Sequence, residues 1–244
     1  MRSTTQTPLV GVAAALQVSS DPSFTPKKTL FDKFSLQGRV GVVTGGNRGI
    51  GLEMALALCE AGATVYALDL PDSPGEEFIA TAEYAKKLGS TLKYVSIDVT
   101  DQKSVWDKIK AIAAGQQMTR FGTPGSIIPM ASISGSATNR VRSCLGAYNT
   151  SKSAVLQMTR SLACELGKHK IRVNSISPGY IYTKMTAAYL DSQPGLEEKW
   201  SNLNPLGRIG RPDELRGVTA WLASDASTFC TGSDIIVSGG HLAW

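Results

Sequence analysis

The stretch GRVGVVTGGNRGIGLEMALALCEAGATVYALDLPD, residues 38–72, decides the fold. Val40, Val42 and Val43 have the β-branched composition of a buried strand. Leu52, Ala55, Leu56, Leu58 and Cys59 then recur at helical spacing until Gly62, a residue suited to a helix C-terminus. Between strand and helix lies Thr44-Gly45-Gly46-Asn47-Arg48-Gly49-Ile50-Gly51. A glycine-rich turn in that place lets backbone approach a pyrophosphate, while the helix N-terminus offers unpaired N–H groups and a partial positive charge. On this reading Gly45 makes the tight turn, Gly49 permits the close approach, and Gly51 lets the helix pack tightly on the strand. The bland alternative, a loop that merely turns, is disfavoured by the strand before it and the helix after it.

The next strand, ATVYALDL, ends near Asp69, where a carboxylate can accept hydrogen bonds from both adenosine ribose hydroxyls. That favours NAD, because a 2′-phosphate would meet the carboxylate. Arg48, inside the glycine turn, pulls towards NADP because it could pair with such a phosphate. The cofactor is therefore NAD or NADP, with a lean to NAD. A third strand, TLKYVSID, ends at Asp98, whose side chain could reach the adenine amino group.

Farther on, GSIIPMASISG has strand character up to Ser132, and AYNTSKSAVLQMTRSLACELGKHKIRVNSISPG follows it. In that segment Ala154, Val155, Met158, Leu162, Ala163 and Leu166 are the expected apolar face of a long helix. Tyr148 and Lys152 are four residues apart, so they share one side of it. An ammonium one turn from a phenol stabilises the phenolate, and a tyrosine so placed can exchange a proton with an alcohol or ketone. By itself such a pair is more often plain helix surface.

The pieces TGGNRGIG, Asp98-Val99, MASISG, YNTSK, VNSISPGYIYT, PLGRIGRPDEL, WLASDAS and TGSDIIVSGG together resemble the classical short-chain dehydrogenase/reductase family. They run from about residue 36 to the C-terminus. The closest likeness is to fungal polyol dehydrogenases and ketose reductases of the mannitol, sorbose and arabinitol type, although Ser238-Gly239-Gly240 stands where Asp-Gly-Gly is usual. The resemblance implies an α/β fold with a Rossmann-like, doubly wound parallel sheet over residues 36–244, preceded by an N-terminal extension, 1–35, expected to be poorly ordered. It implies an NAD(P)-dependent oxidoreductase that interconverts a secondary alcohol and a ketone, on a polyol or ketose, without a metal. Tyr148 would be the acid/base, Lys152 its partner and a ligand of the nicotinamide ribose, and Ser132 the hydrogen-bond partner of the substrate oxygen. Sixteen positions separate Ser132 from Tyr148, more than the family's usual gap, and Ser134 is the rival serine. Gly45, Asn47, Arg48, Gly49, Ile50, Gly51, Asp69, Asp98 and Val99 would hold one part of the cofactor. Pro178, Ile181 and Thr183, with Tyr148 and Lys152, would hold the nicotinamide part.

One interval does not fit. Between Asp98 and Ser132 only thirty-three residues intervene, and a single strand–helix–strand crossover consumes about thirty. The family pattern places two helices and two strands there. Its fourth strand, ending in Asn-Ala-Gly, has no counterpart, since that tripeptide occurs nowhere in the chain and the first asparagine after Asn47 is Asn139. Two helix fragments read as joined near Ala114-Gly115, so the chain lacks one central βα unit. The first strand would then have an unpaired edge, and the expectation is that GSIIPMAS moves beside VGVVTG, closing the sheet with six strands and carrying Tyr148 away from the nicotinamide. The alternative function is accordingly a catalytically impaired, truncated homologue, a splice or gene-model variant acting only in cofactor binding or interaction.

Composition excludes other classes. With 42% apolar residues, 244 residues can bury one sizeable core. The net charge of +5 has no dense basic stripe beyond Lys168-His169-Lys170 and Arg172, which argues against nucleic acid. Cys59, Cys144, Cys164 and Cys230 form no CxxC pair and read as reduced thiols, and His169 and His241 read as surface residues. No apolar run is long enough to span a bilayer. The opening segment carries Arg2 but makes a weak secretory or mitochondrial leader, so a cytoplasmic location is expected. The partners implied are a small-molecule alcohol or ketone and further copies of the chain, although the lost block removes part of the helix interface by which the family's tetramers assemble.

Overall fold

The computed structural model describes residues 10–98, 100–101, 122–138 and 145–243, with residue 185 as backbone only. The join expected near Ala114-Gly115, and Val99, lie outside the described residues. Helix α1 (Val12–Ser20) buries none of its residues. The core begins at Leu36, which is buried and whose N–H donates to Ala61 O at 2.7 Å.

The first half follows the sequence reading. Strand β1 (Val40–Thr44) leads through the glycine turn into α2 (Gly49–Glu60). Strand β2 (Thr64–Asp69), helix α3 (Glu76–Lys87) and strand β3 (Thr91–Ser96) complete a parallel sheet in the order β1-β2-β3. Helix α2 stops where Gly62 takes φ +103°: its N–H donates to Cys59 O and that of Ala63 to Leu58 O, a Schellman closure that only a residue tolerant of positive φ makes cheaply. The strand expected to run to Asp98 leaves the ladder at Ser96, and Asp98 is exposed.

The second half holds two further pairs of parallel strands. Strand β4 (Gly125–Ile127) pairs with β5 (Ile171–Val173), and β6 (Ser175–Pro178) pairs with β7 (Asp234–Val237). Beyond Pro129 the first of these strands goes on: Met130 bridges Ile176, and Ala131 N–H donates to Ile176 O at 2.8 Å. Asn174 is the break between β5 and β6; its fully buried amide donates to Cys230 O and accepts the Ser233 N–H. Among the described residues this half carries the helices α4 (Gly146–Leu166), α5 (Lys184–Asp191), α6 (Leu196–Asn202) and α7 (Arg216–Ala223).

The described residues include two clusters of buried apolar side chains, one in each half, and α2 contributes to both. Leu52, Ala55, Leu58 and Cys59 pack into the first cluster, and Met54 into the second with Ile176, Leu215 and Leu222. Each large side chain so buried is worth about 1.5–3 kcal/mol, so α2 fastens the two halves together.

Two expectations are corrected here. The segment Gly125–Ser132 has not moved beside β1, which among the described residues pairs with β2 alone. The segment is held where it is from several sides. Ile127 O accepts the Asn174 N–H and Pro129 O the Ile176 N–H, both at 3.1 Å, and Ser126 Oγ donates to Leu222 O of α7 at 2.7 Å. Sliding to β1 would break these bonds, so the segment stays with β5, β6 and α7, and Tyr148, on the helix that follows it, stays with it. The apolar face of α4 is also different. Its buried residues are Leu156, Thr159 and Ala163, whereas Met158 and Ala154 are exposed. A threonine disguises the buried stripe, because the Thr159 hydroxyl is satisfied within the helix, donating to Val155 O at 2.8 Å.

Candidate active site

The glycine turn is built by contact and by backbone conformation. Gly45 and Gly49 have φ of +67° and +57°, the left-handed region that L side chains avoid. A Cβ on Gly51 would lie 2.1 Å from Gly45 O, so the close packing of Gly51 is against the turn itself rather than against the strand. A Cβ on Gly46 would lie 2.7 Å from Ala67 Cβ on β2, a constraint the glycine spacing did not single out. Helix α2 starts after Arg48 with no side chain capping it. Its first N–H groups thus lack a side-chain acceptor, and the place of a Cβ on Gly49 has no atom within 4 Å. An open, uncapped helix N-terminus of this kind suits a pyrophosphate.

Asp69, at the end of β2, reaches back to that turn. One carboxylate oxygen accepts the Asn47 N–H at 3.0 Å and the other the Leu70 N–H at 2.9 Å, while Asn47 Oδ1 accepts the Gly75 N–H. Arg48 is exposed beside them. Asp98 instead turns onto its own chain: its Oδ1 accepts from the Thr100 N–H and hydroxyl, and these bonds hold its carboxyl below the usual carboxylate range. The glycine turn with Asn47, Arg48 and Asp69 could hold the adenosine and pyrophosphate parts of a dinucleotide, whereas Asp98 is engaged by Thr100.

The second group lies around a cavity of about 580 Å³. Tyr148 and Lys152 line it from α4, with the Lys152 ammonium 5.7 Å from the centre of the Tyr148 ring. Lys152 Nζ also donates to Met130 O at 3.0 Å, which ties α4 to the strand. Ile50, from the start of α2, and Pro178, Ile181 and Thr183 line the same cavity, so it adjoins the glycine turn. Ser132 caps a 3-10 turn (Ile133–Gly135); its buried Oγ accepts the Ser134 N–H at 3.2 Å, and of the two serines Ser134 lines the cavity. That turn sits directly on α4. A Cβ on Gly135 would lie 2.8 Å from Lys152 O, and Ser153 Oγ donates to Gly135 O at 2.8 Å.

The wall opposite α4 was not legible as part of the site. Tyr180, Tyr189 and Trp200 line it. The Tyr180 and Trp200 rings stack at 4.3 Å and 14°, and His241 meets Tyr180 edge-on at 5.2 Å. His241 is therefore no surface histidine: it backs the wall, within hydrogen-bond distance (3.1 Å) of Asn204 Oδ1, and burial lowers its basicity below the ordinary imidazole value. Burial likewise pushes the Tyr180 hydroxyl above its ordinary value. Thr186 holds α5 in place: its Oγ1 accepts the Thr183 N–H at 2.7 Å, and its own N–H donates to Thr183 Oγ1. Tyr180 lies inside the motif VNSISPGYIYT but was given no role there. Trp200 sits in the acidic segment LEEKW, where nothing in the local sequence distinguishes a pocket wall from a helix face.

A glycine turn at an open helix N-terminus, next to a cavity holding a tyrosine–lysine pair, defines a Rossmann-like oxidoreductase. The family model described as "short chain dehydrogenase" matches residues 39–118, and that described as "Enoyl-(Acyl carrier protein) reductase" matches residues 109–241. The chain is 35% identical to sorbose reductase of Schizosaccharomyces pombe over 254 positions, covering 85% of this chain and 97% of the relative. It is also 35% identical to a probable NADP-dependent mannitol dehydrogenase of Yarrowia lipolytica over 274 positions, covering 90% of this chain and 94% of that one. A solved short-chain dehydrogenase/reductase of Mycobacterium marinum superposes with a TM-score of 0.78 at 32% identity, covering 87% of this chain and 98% of that chain. The chain belongs to the short-chain dehydrogenase/reductase family. Both alignments are longer than the 244 residues of this chain, so each relative has residues with no counterpart here. The two family matches meet between residues 109 and 118, the interval that contains Ala114-Gly115. Among the described residues no helix is long and apolar enough to cross a membrane, and no cluster of side chains could hold a metal ion.

Proposed function

We propose that this chain binds NAD or NADP at the glycine turn and interconverts a secondary alcohol and a ketone in the adjoining cavity. A polyol or ketose is the substrate class that the sorbose and mannitol relatives favour. When bound, the nicotinamide supplies or accepts the hydride. Tyr148 gives a proton to the substrate oxygen in reduction and takes it back in oxidation. Lys152 keeps positive charge beside the Tyr148 ring, and Ser132 or Ser134 hydrogen-bonds the same substrate oxygen. Pro178, Ile181 and Thr183, which line the same cavity, would hold the nicotinamide. Asp69 favours NAD through the ribose hydroxyls, although it already accepts two backbone N–H groups, and Arg48 favours NADP. The observation that carries this reading is the placement of Tyr148 and Lys152 on one cavity wall, with the serine-bearing turn docked on the same helix.

A second reading, a chain that binds cofactor without turnover, is favoured by one observation: the edge of β1 facing away from β2 has no strand among the described residues. In a doubly wound sheet the strand beside that edge helps form the dinucleotide crevice. Titrating the purified chain with NADH and NADPH by fluorescence, and assaying ketone reduction beside Tyr148→Phe, separates the two. The first reading expects turnover that Tyr148→Phe lowers by about 10²–10⁴-fold, the usual size of general acid–base catalysis. Binding without turnover would establish the second.

A further inference from the structure

Resting on that reading of the cavity, the contacts behind its aromatic wall give a task to the end of the chain. After β7 the backbone turns at Gly239 and Gly240, where φ is +64° and +90°. On one side this turn meets the residues that leave β6: Gly179 N–H donates to Val237 O at 2.9 Å, and a Cβ on Gly179 would lie 2.8 Å from Ser238 Cα. On the other side it meets the residues that follow α6: Leu206 N–H donates to Gly239 O at 3.1 Å, and a Cβ on Gly240 would lie 2.7 Å from Pro205 Cγ. The turn thereby delivers His241 to both Tyr180 and Asn204.

Asn204 fixes how the imidazole is turned. Its amide nitrogen is 3.1 Å from Trp200 O and 2.9 Å from Arg208 O, and because carbonyls only accept, both amide hydrogens are used there. The remaining Oδ1, in a residue that is buried, is an acceptor, so the His241 Nδ1 beside it carries the hydrogen. The ring so oriented stands at 88° to Tyr180, while Trp200, on α6, lies at 14° to the same ring. One perpendicular and one parallel neighbour leave Tyr180 little rotamer freedom to lose when a ligand binds. Tyr180 lies in the segment 178–183 given above to the nicotinamide, and its O and the Tyr182 N–H are both bonded to Gly210.

We propose that His241 is a positioning residue. Its hydrogen bond to Asn204 and its ring contact with Tyr180 hold residues 178–183 in the place that the nicotinamide and the substrate require. The hydrogen bond is the decisive half, because without it the buried Oδ1 of Asn204 loses its donor and the hold on Trp200 loosens with it.

The test begins with amide exchange in the full chain, which needs neither cofactor nor turnover. Tyr182 and Gly210 report on the segment, and Val65 and Ala67 of β2 report on the rest of the molecule. His241→Ala is expected to speed exchange at Tyr182 and Gly210 about tenfold and to leave Val65 and Ala67 unchanged. Asparagine places an N–H where imidazole has Nδ1, whereas phenylalanine keeps a ring without the donor. His241→Asn should therefore restore most of the protection and His241→Phe little of it, and this pair carries the test alone if His241→Ala does not fold. In NADPH-dependent reduction of L-sorbose, kcat of His241→Ala should fall about tenfold while the NADPH Kd, set mainly at the glycine turn, stays within about twofold. Unchanged exchange at Tyr182 and Gly210, acceleration in β2 as well, rescue by His241→Phe equal to that by His241→Asn, or an unaltered kcat would overturn the proposal. A parent chain that does not reduce L-sorbose removes the catalytic reading of the cavity instead, and the exchange rates still decide whether His241 holds the segment.

Discussion

At the scale of single residues, the glycines of the turn separate two physical demands that one motif combines. Gly51 is needed for space, since a Cβ there would meet Gly45 O at 2.1 Å and the main chain itself would have to move. Gly49 is needed for conformation, with φ at +57° and open space where its Cβ would point. Gly49→Ala should therefore cost about 1–2 kcal/mol of stability, the price of a left-handed non-glycine residue, and should weaken NADPH binding because the methyl projects where the cofactor approaches. Gly51→Ala should cost more, about 1–3 kcal/mol from overpacking alone and further strain where main chain is displaced. Urea unfolding with NADPH titration of both variants reads the two losses separately. If the two variants lost stability equally, the distinction between space and conformation would be wrong.

Among the elements, the sequence was most legible where a local rule is strict. A strand, a glycine turn and a helix closed at Gly62 all appear where the pattern put them, because β-branched runs, positive φ and helical spacing leave little choice. The stripe of α4 that faces the sheet was hidden, since Thr159 reads as polar while its hydroxyl is satisfied inside the helix. The aromatic wall was hidden for another reason: it is assembled from Tyr180, Tyr189, Trp200 and His241, which meet only through tertiary packing. A clamp outside the cavity keeps that wall in position. Gly210 N–H donates to Tyr180 O and Gly210 O accepts the Tyr182 N–H, so the loop before α7 is stitched to the pocket. Glu214 holds the loop, accepting two bonds from Arg208 and one from the Arg211 N–H, and these partners draw its carboxyl down from 4.5 to about 2. A carboxylate whose folded value is depressed adds stability above its unfolded value and loses it as pH falls through the folded one. Glu214→Gln should thus lower the melting temperature at pH 6–7, and the difference from the parent chain should shrink between about pH 4.5 and 2. Because the Arg208 and Glu214 side chains are 48% and 27% exposed, the effect should be modest and should fall further in high salt. Melting curves of both proteins across that window, with a difference that did not narrow, would show that the clamp is not what Glu214 contributes.

For the whole molecule, the family was legible from motifs spread over most of the chain, but the response to the short interval after Asp98 was not. Counting residues said that a strand and a helix lack room, and it led to the expectation that the remaining strands would close up. They do not, because β4 is tied to β5, β6 and α7, and α2 is packed into both apolar clusters. Among the described residues the strands form β1-β2-β3, β4-β5 and β6-β7, and no strand pairs with the edge of β1 that faces away from β2. The hydrogen-bond pattern of β1 makes the state of its other edge measurable. Arg39 O accepts the Thr64 N–H and Gly45 N–H donates to Leu68 O, so odd-numbered residues of this parallel strand face β2. The N–H groups of Val40, Val42 and Thr44 then point the other way, to the edge that pairs with no strand among the described residues. If no strand covers that edge in solution, the amides of Val42 and Thr44 should exchange with deuterium on the order of a hundredfold faster than those of Gly41 and Val43. If all four are protected alike, the edge is paired, and repeating the exchange at lower protein concentration identifies the pairing strand. Protection that disappears on dilution would assign it to a second copy of the chain, as an exposed edge invites. Protection independent of concentration would assign it to this chain, and would place back beside the glycine turn the strand that a dinucleotide crevice requires.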